Sequence, residues 1–228
     1  MTDAETEIEA KAADRVVFFS DAVIAIAITL LALELPIPPD LKKPATYTNG
    51  SLLHALGRDW DIYLDFLISF AVIGNHWAGH RRIFRYVSRI DGVVGRLNML
   101  WLMMMILTPV ATKMLSGDGG RGVRFTAYAV VQIIATLCLW GMRERTVHGD
   151  MLLPDAPESV RHPDWVPYLA LVIMFALSAP LAFVTSYAWV CYILTPAASR
   201  ALHRVTGTSS GPRRPGPPAG RARPAHRG

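Results

Sequence analysis

Six polar side chains of this sequence lie within or beside long apolar stretches, where polar groups are uncommon. They are Arg15, Ser20, Asp21, His76, Trp77 and His80. An ionisable group inside a membrane span is costly, so by default it marks a function or a specific partner. A carboxylate with guanidinium, imidazole and indole donors nearby can form a buried hydrogen-bonded cluster, or a site that binds and releases protons.

The elements that must position these side chains are predicted to be membrane-spanning helices. Hydrophobic residues make up 52% of the 228 residues, only 18% are charged, and the mean hydropathy is +0.29. A soluble domain carries about a quarter charged residues. The net charge of +5 comes from the C-terminus, where seven arginines and no acidic residue follow from Arg200 onwards. The basicity therefore does not indicate a nucleic-acid-binding face.

The hydropathy pattern predicts an all-α membrane protein with six transmembrane helices per subunit. The predicted spans are residues 16–35, 60–81, 93–115, 124–142, 165–179 and 181–199. A bilayer core needs roughly 20 apolar residues in a helix. The stretch from residue 165 to 196 is too long for one span, and Ser178-Ala179-Pro180 offers a place to divide it.

Three regions follow from this division of the chain. Residues 1–14 are predicted to be a cytoplasmic N-terminal tail or the start of a helix, and residues 15–200 the six-helix domain. Residues 201–228 form a basic tail, predicted to be disordered because it is rich in Gly, Pro, Arg and Ser. Arginines concentrate after the second, fourth and sixth spans, which favours both termini in the cytoplasm. The first outer loop is also basic, so this orientation is favoured without being forced.

With that orientation, the polar residues of spans 1 and 2 lie at a similar depth. Span 1 runs outward and carries Ser20 and Asp21 in its cytoplasmic third. Span 2 runs inward and carries His76 and His80 in its cytoplasmic third. Two interpretations remain open at this point. The cluster is a polar contact that holds two helices together, or it is a proton or ion site.

The opposite side of span 1 carries an aliphatic stripe. At 100° per residue, Ile26, Leu30 and Leu33 share one face with Thr29 beside them, and Asp21 lies about 140° away from Ile26. Asp21 is therefore predicted to point at neighbouring helices, together with small residues at Ala25 and Ala32. From periodicity alone, the stripe indicates contact with lipid or with the protein core.

The segment Arg15-x-x-x-Phe19-Ser20-Asp21 resembles the signature on the first span of the transmembrane protein 175 potassium channels, in their bacterial branch. Further similar features are Trp77-x-x-His80 near the end of span 2, and Asn98 with Pro109 in span 3. The resemblance covers roughly residues 12–200. It implies a multi-pass protein of a bacterial plasma membrane that passes potassium through a central pore.

The same resemblance implies a homotetramer whose pore is lined by helix 1 of four subunits. The constriction would be made of Ile26, Leu30 and Leu33, with Thr29 as a polar layer, and potassium would be the permeant ion, with no cofactor. No TVGYG filter occurs in the sequence. The supporting hydrogen-bond network would comprise Arg15, Ser20, Asp21, Trp77 and His80.

The sequence also offers two alternatives to a channel, a transporter and an enzyme. A proton-coupled or proton-conducting transporter would use Asp21 with His76 and His80, but the sequence shows no second copy of either motif, as an internal repeat would require. An enzyme is not indicated, because the loops contain neither HExxH nor a recognisable Ser/His/Asp set. Cys138 and Cys191 show no metal-ligand spacing.

Overall fold

The protein is all-helical in its computed structural model. The structure describes residues 3–35, 49–58, 60–117, 119–161, 164–185 and 187–206. The helices are α1 (Asp3–Leu33), α2 (Asn49–Arg58), α3 (Trp60–Phe84), α4 (Gly92–Leu115), α5 (Arg121–His148), α6 (Glu158–Arg161), α7 (Val166–Val184) and α8 (Val190–Thr206). The described ranges contain one isolated bridge, between Val87 and Leu152, and no β-strand.

The prediction of an all-α membrane protein is confirmed, and the six longest helices follow the order of the six predicted spans. Within the described residues, four helices have the length and composition to cross a membrane: α1 from Glu7, α4, α5 and α7. Helix α3 is long enough at 25 residues, but Asp65, His76 and His80 reduce its hydropathy. Helix α8 has 17 residues, fewer than the roughly 20 that a span requires.

The predicted boundary between the last two spans is wrong. Helix α7 continues through Ser178 and Pro180 and ends at Val184, where Thr185 adopts an extended backbone. A proline removes one backbone donor, and a membrane helix tolerates this loss when nearby groups bond the freed carbonyls. Near this position the Ser178 hydroxyl donates to the carbonyl of Phe175 at 2.7 Å and bonds the hydroxyl of Tyr192 on α8 at 3.0 Å.

Helix continues into both predicted terminal regions. Helix α1 begins at Asp3, which agrees with the alternative that this segment is the start of a helix. Helix α8 continues to Thr206, so the basic tail begins later than residue 201. The remainder of that tail, residues 207–228, lies outside the described residues.

Helix α4 is the centre of the bundle, packed against α1, α3 and α5. Its Trp101 and Met105 side chains are completely buried in the main hydrophobic core. The helix starts at Asp91, whose carboxylate accepts from the backbone N–H groups of Val94 (2.8 Å) and Val93 (3.1 Å). The Nε of Arg145 on α5 donates to the same carboxylate at 2.8 Å.

The pKa of Asp91 lies below its ordinary value. The main cause is the backbone N–H of Val94, which donates to the ionised form, and the Arg145 guanidinium lowers it further. The ionised carboxylate therefore fixes both the start of α4 and its position beside α5.

Hydroxyl groups join the middle helices within the bundle. Ser69 on α3 bonds Tyr128 of α5 at 3.2 Å and accepts from Thr112 of α4 at 2.8 Å. All three side chains are buried. Aromatic packing of Tyr128 with Phe175 and Tyr192 extends the contact to α7 and α8. These bonds hold α3, α4 and α5 as a rigid support against which α1 packs.

Candidate functional site

Helix α1 has one side inside the bundle and the other side exposed. The packed side consists of small or aliphatic residues and one serine, each at most 4% exposed: Ala13, Ser20, Ile24, Ala27 and Leu31. The spacings between them, seven, four, three and four residues, follow the period of a helix. This packing fixes the rotation of α1 about its axis, and with it the direction in which the opposite side points.

The aliphatic stripe predicted on span 1 lies on the exposed side. Ile26 is 58% exposed, Leu30 43% and Leu33 79%. Thr29 is also exposed, and its hydroxyl donates to the carbonyl of Ile26 at 2.8 Å. The three apolar side chains lie along about 10 Å of helix at 1.5 Å per residue. A single protomer therefore leaves a continuous apolar surface uncovered on the helix that the sequence singled out.

Asp21 contacts the second predicted site helix directly. The indole Nε1 of Trp77 on α3 donates to Asp21 Oδ1 at 2.8 Å. The two residues are 56 positions apart, and Asp21 is half-buried. Arg81, one turn further along α3, places its guanidinium 4.9 Å from the centre of the Trp77 ring. The bond from Trp77 thus holds the part of α1 around Asp21 against α3.

Asn98 of α4 links the other two polar residues of the predicted network. Its Nδ2 donates to Ser20 Oγ at 3.0 Å, and its Oδ1 lies 2.9 Å from His80 Nε2. Asn98 and Ser20 are each 1% exposed, and His80 is fully buried. Because the Asn98 oxygen can only accept, His80 carries its proton on Nε2 in this contact. One amide therefore connects α1, α4 and α3.

The two buried histidines of α3 stack and bond in different ways. The His80 ring lies parallel to Trp101, with ring centres 4.6 Å apart, and stacks on Phe84 at 4.2 Å. His76 accepts from Trp101 Nε1 through Nδ1 at 3.4 Å. His76 Nε2 and His80 Nδ1 have no hydrogen-bond partner among the described residues. Both imidazoles lie inside the protomer, on the packed side of α1 and away from the exposed stripe.

Arg15 differs from the rest of the predicted network. Its side chain is exposed, and it makes no hydrogen bond or ion pair with any described residue. The cation that approaches Trp77 is Arg81. The role predicted for Arg15 stays a prediction, because the structure contains a single protomer.

Two features of the site were not predicted from the sequence. Asn98 was singled out in span 3, but it was not placed in the network, because spacing along one helix does not reveal its register against another. Ala25 and Ala32 were predicted to pack against neighbouring helices, yet both are exposed and Ala27 is buried instead. The strongest available signal for Asn98 was a lone amide in an apolar span, at the depth of Ser20 and His80.

The hydrogen-bonded residues and the aliphatic stripe lie on different sides of α1. The hydrogen-bonded residues are held by their neighbours and face the bundle, while the side chains of the aliphatic stripe are 43% to 79% exposed. The described residues contain no group of three or more His, Cys, Asp or Glu side chains that could hold a metal ion.

Comparisons with known proteins identify relatives that are ion channels. The model of a family described as the endosomal/lysosomal potassium channel TMEM175 matches residues 15–109. A potassium channel of Streptomyces collinus is 36% identical over 179 residues, which cover 75% of this chain and 83% of that protein. The human endosomal/lysosomal proton channel TMEM175 is 30% identical over 187 residues, which cover 79% of this chain and 36% of the human protein.

One solved structure is similar over nearly its whole length. It is a lysosomal potassium-selective channel TMEM175 homologue from Chamaesiphon minutus, with a TM-score of 0.64 and 26% sequence identity. The match covers 84% of this chain and 98% of that one. Both the helix arrangement and the sequence similarity therefore extend well beyond the short motif on α1.

Proposed function

This chain belongs to the TMEM175 family of ion channels, and from that premise we propose that it is a potassium-selective channel. The family conducts ions and is not a family of enzymes. The observation that supports the proposal most strongly is the exposed stripe of Ile26, Leu30 and Leu33 on α1. Flux through the channel is passive, driven by the electrochemical gradient of potassium.

Four copies of the chain form the proposed pore, with α1 of each copy next to the axis. A ring of four Ile26 side chains, followed by rings of Leu30 and Leu33, would line a dry constriction. Such a constriction gates by losing its water. Thr29 adds a polar layer beside the first ring, since its hydroxyl is exposed on the same side of the helix. Potassium is the permeant ion, and no cofactor is required.

The buried hydrogen bonds hold α1 in place on the side opposite the proposed constriction. Trp77 holds Asp21, and Asn98 holds Ser20 and His80, so α1 cannot rotate without breaking both contacts. A rotation of one residue, about 100°, would carry the stripe away from the axis. Arg15 is exposed at the inner end of α1, and we propose that it contacts a neighbouring subunit of the homotetramer.

The membrane is proposed to be the plasma membrane of a bacterium, with both termini in the cytoplasm. The support is the distribution of positive charge, since Arg81, Arg82, Arg85 and Arg89 follow the membrane part of α3 at one end of the bundle. In this orientation Leu33 and Glu34 lie at the extracellular end of α1.

The test is potassium flux from liposomes that contain the purified protein. We expect flux driven by a potassium gradient alone, with sodium passing more slowly. Ile26→Asn should reduce the preference for potassium, because a polar ring admits hydrated ions, and Leu30→Ala should raise the flux by widening the constriction. Leu177→Ala, an exposed position on α7, serves as the control and should change neither quantity. Unchanged conduction in both α1 variants would contradict the pore assignment.

Proton conduction is a second candidate function, favoured by one observation. Several vertebrate relatives are described as proton channels, and His76 and His80 lie buried behind α1 with one unpartnered nitrogen each among the described residues. A proton pathway predicts acidification of liposomes under a pH gradient, lost in His80→Phe. Potassium flux that is independent of the pH gradient favours the first proposal.

A further inference from the structure

The extracellular end of α1 carries a charged contact next to the proposed constriction. Lys113 Nζ of α4 lies 2.6 Å from Glu34 Oε2, which directly follows Leu33 in the chain. The Lys113 side chain is 67% exposed and that of Glu34 is 36% exposed. Both groups border a pocket between α1, α3 and α4, whose walls are largely apolar. Glu34 and Lys113 are the charged residues among those that line it.

Glu34 directly follows the last residue of α1, so its charge lies at the end of the helix proposed to line the ion path. Its backbone N–H donates to the carbonyl of Leu31 at 3.3 Å, in a turn that closes the helix. Leu31 is buried, whereas Leu33 is 79% exposed. Glu34 therefore stands next to the last residue of the exposed stripe and also contacts α4 through Lys113.

Glu34 is an acidic residue at the end of the first predicted span, and its pairing with Lys113 decides the charge that it presents there. A carboxylate paired with an ammonium group at 2.6 Å has almost no net charge at a distance, so it attracts few cations. Without Lys113, four symmetry-related carboxylates would stand at the mouth of the pore. Rings of acidic side chains are the usual means by which cation channels concentrate ions.

We propose that Lys113 sets the conductance of the channel by neutralising Glu34 at the extracellular mouth. The inference rests on the proposed pore, since it requires α1 to line the path of the ion. Lys113 acts through Glu34 and does not itself contact the permeating ion, so it is a positioning and charge-balancing residue. A purely structural role is the alternative, in which the pair only fastens the end of α1 to α4.

Single-channel recording in planar bilayers distinguishes these two roles. At about 30 mM KCl we expect Lys113→Met to raise the inward potassium conductance two- to fivefold, because the Glu34 carboxylates are then unpaired. Glu34→Gln should lower the conductance, because it leaves four unpaired ammonium groups at the mouth. A structural contact predicts that both variants change the conductance in the same direction, since each breaks the pair.

Two further measurements test the proposal: the salt dependence of the conductance, and the recovery of normal conductance in a conservative and a double variant. At 1 M KCl, where the screening length is about 3 Å, the conductances of Lys113→Met and the unmodified protein should agree within experimental error. Lys113→Arg and the double variant Glu34→Gln with Lys113→Met should both behave like the unmodified protein at every salt concentration.

The control is Lys11→Met, which removes a lysine near the other end of α1 that pairs with Glu7 at 2.6 Å. It should leave the inward conductance unchanged. Equal effects of Lys113→Met at low and high salt, or effects of the same sign in both single variants, would overturn the proposal. The unmodified protein is recorded in the same bilayers. If it conducts no potassium, the proposed function fails, whereas conduction without these charge effects overturns only the role of Lys113.

Discussion

Replacing Asn98 tests whether the buried network holds α1 in place. Asn98 bonds Ser20 at 3.0 Å and His80 at 2.9 Å, and the three side chains are at most 1% exposed. Asn98→Leu keeps a similar volume, so the cavity contribution is small and the loss is mainly polar. His80 Nδ1 already lacks a partner among the described residues, so the variant would leave both ring nitrogens unsatisfied.

The expected cost follows from these contacts. A buried polar group that loses its partner costs about 1–3 kcal/mol, and this applies to His80. Ser20 keeps its bond to the carbonyl of Val16 at 2.8 Å, so its loss is smaller, about 0.5–1 kcal/mol. We therefore expect Asn98→Leu to destabilise the protein by about 1.5–4 kcal/mol, and to lower its Tm by roughly 3–16 °C for a chain of this size.

The assay is thermal unfolding in detergent, followed by tryptophan fluorescence, together with potassium flux below the Tm. Thr136→Val is the matched control, because among the described residues the buried Thr136 hydroxyl bonds only the carbonyl of Gln132, within its own helix. The control should cost no more than about 1 kcal/mol. If Asn98→Leu is no less stable than Thr136→Val, Asn98 does not hold α1, and our explanation of the network is wrong.

Two further predictions follow from contacts of α3 and α4. Trp77→Phe keeps a ring but removes the donor to half-buried Asp21, so it should lower stability by about 1 kcal/mol in the same unfolding assay, and no change would refute a role for that bond. Asp91→Ala should lower the Tm at pH 7, and the difference should become smaller as the pH falls below 3.8. The depressed pKa of Asp91 means that its contribution is present above the ordinary value of 3.8 and lost as the pH falls through the lowered pKa. A Tm difference that stays constant as the pH falls below 3.8 would contradict this explanation.

Much of the architecture could be predicted from the sequence, because a membrane imposes simple rules on helices. The all-α class follows from apolar runs and segregated charge. Helical period predicts that Ile26, Leu30 and Leu33 share one side of α1, and the structure shows that this side is the exposed one. The contact between Asp21 and Trp77 also agrees with the prediction that the polar residues of the first two spans lie at a similar depth.

Other details depend on how one helix meets another, which periodicity does not show. Asn98 joins Ser20 to His80 only because α4 passes between α1 and α3 with one particular register. Ala25 lies on the exposed side because the larger Ile24 and Leu31 define the packed side. The break near Pro180 failed as a prediction since a single proline does not end a helix whose neighbours support it.

The proposal that α1 lines a potassium pore is tested most directly by cysteine accessibility. Cys138 and Cys191 are buried, so they provide little background for a charged thiol reagent. With Leu33→Cys, a cationic methanethiosulfonate added from the extracellular side should reduce the potassium current by more than tenfold, whereas Leu177→Cys on α7 should show no block. Complete labelling of Leu33→Cys without loss of current would contradict the pore assignment.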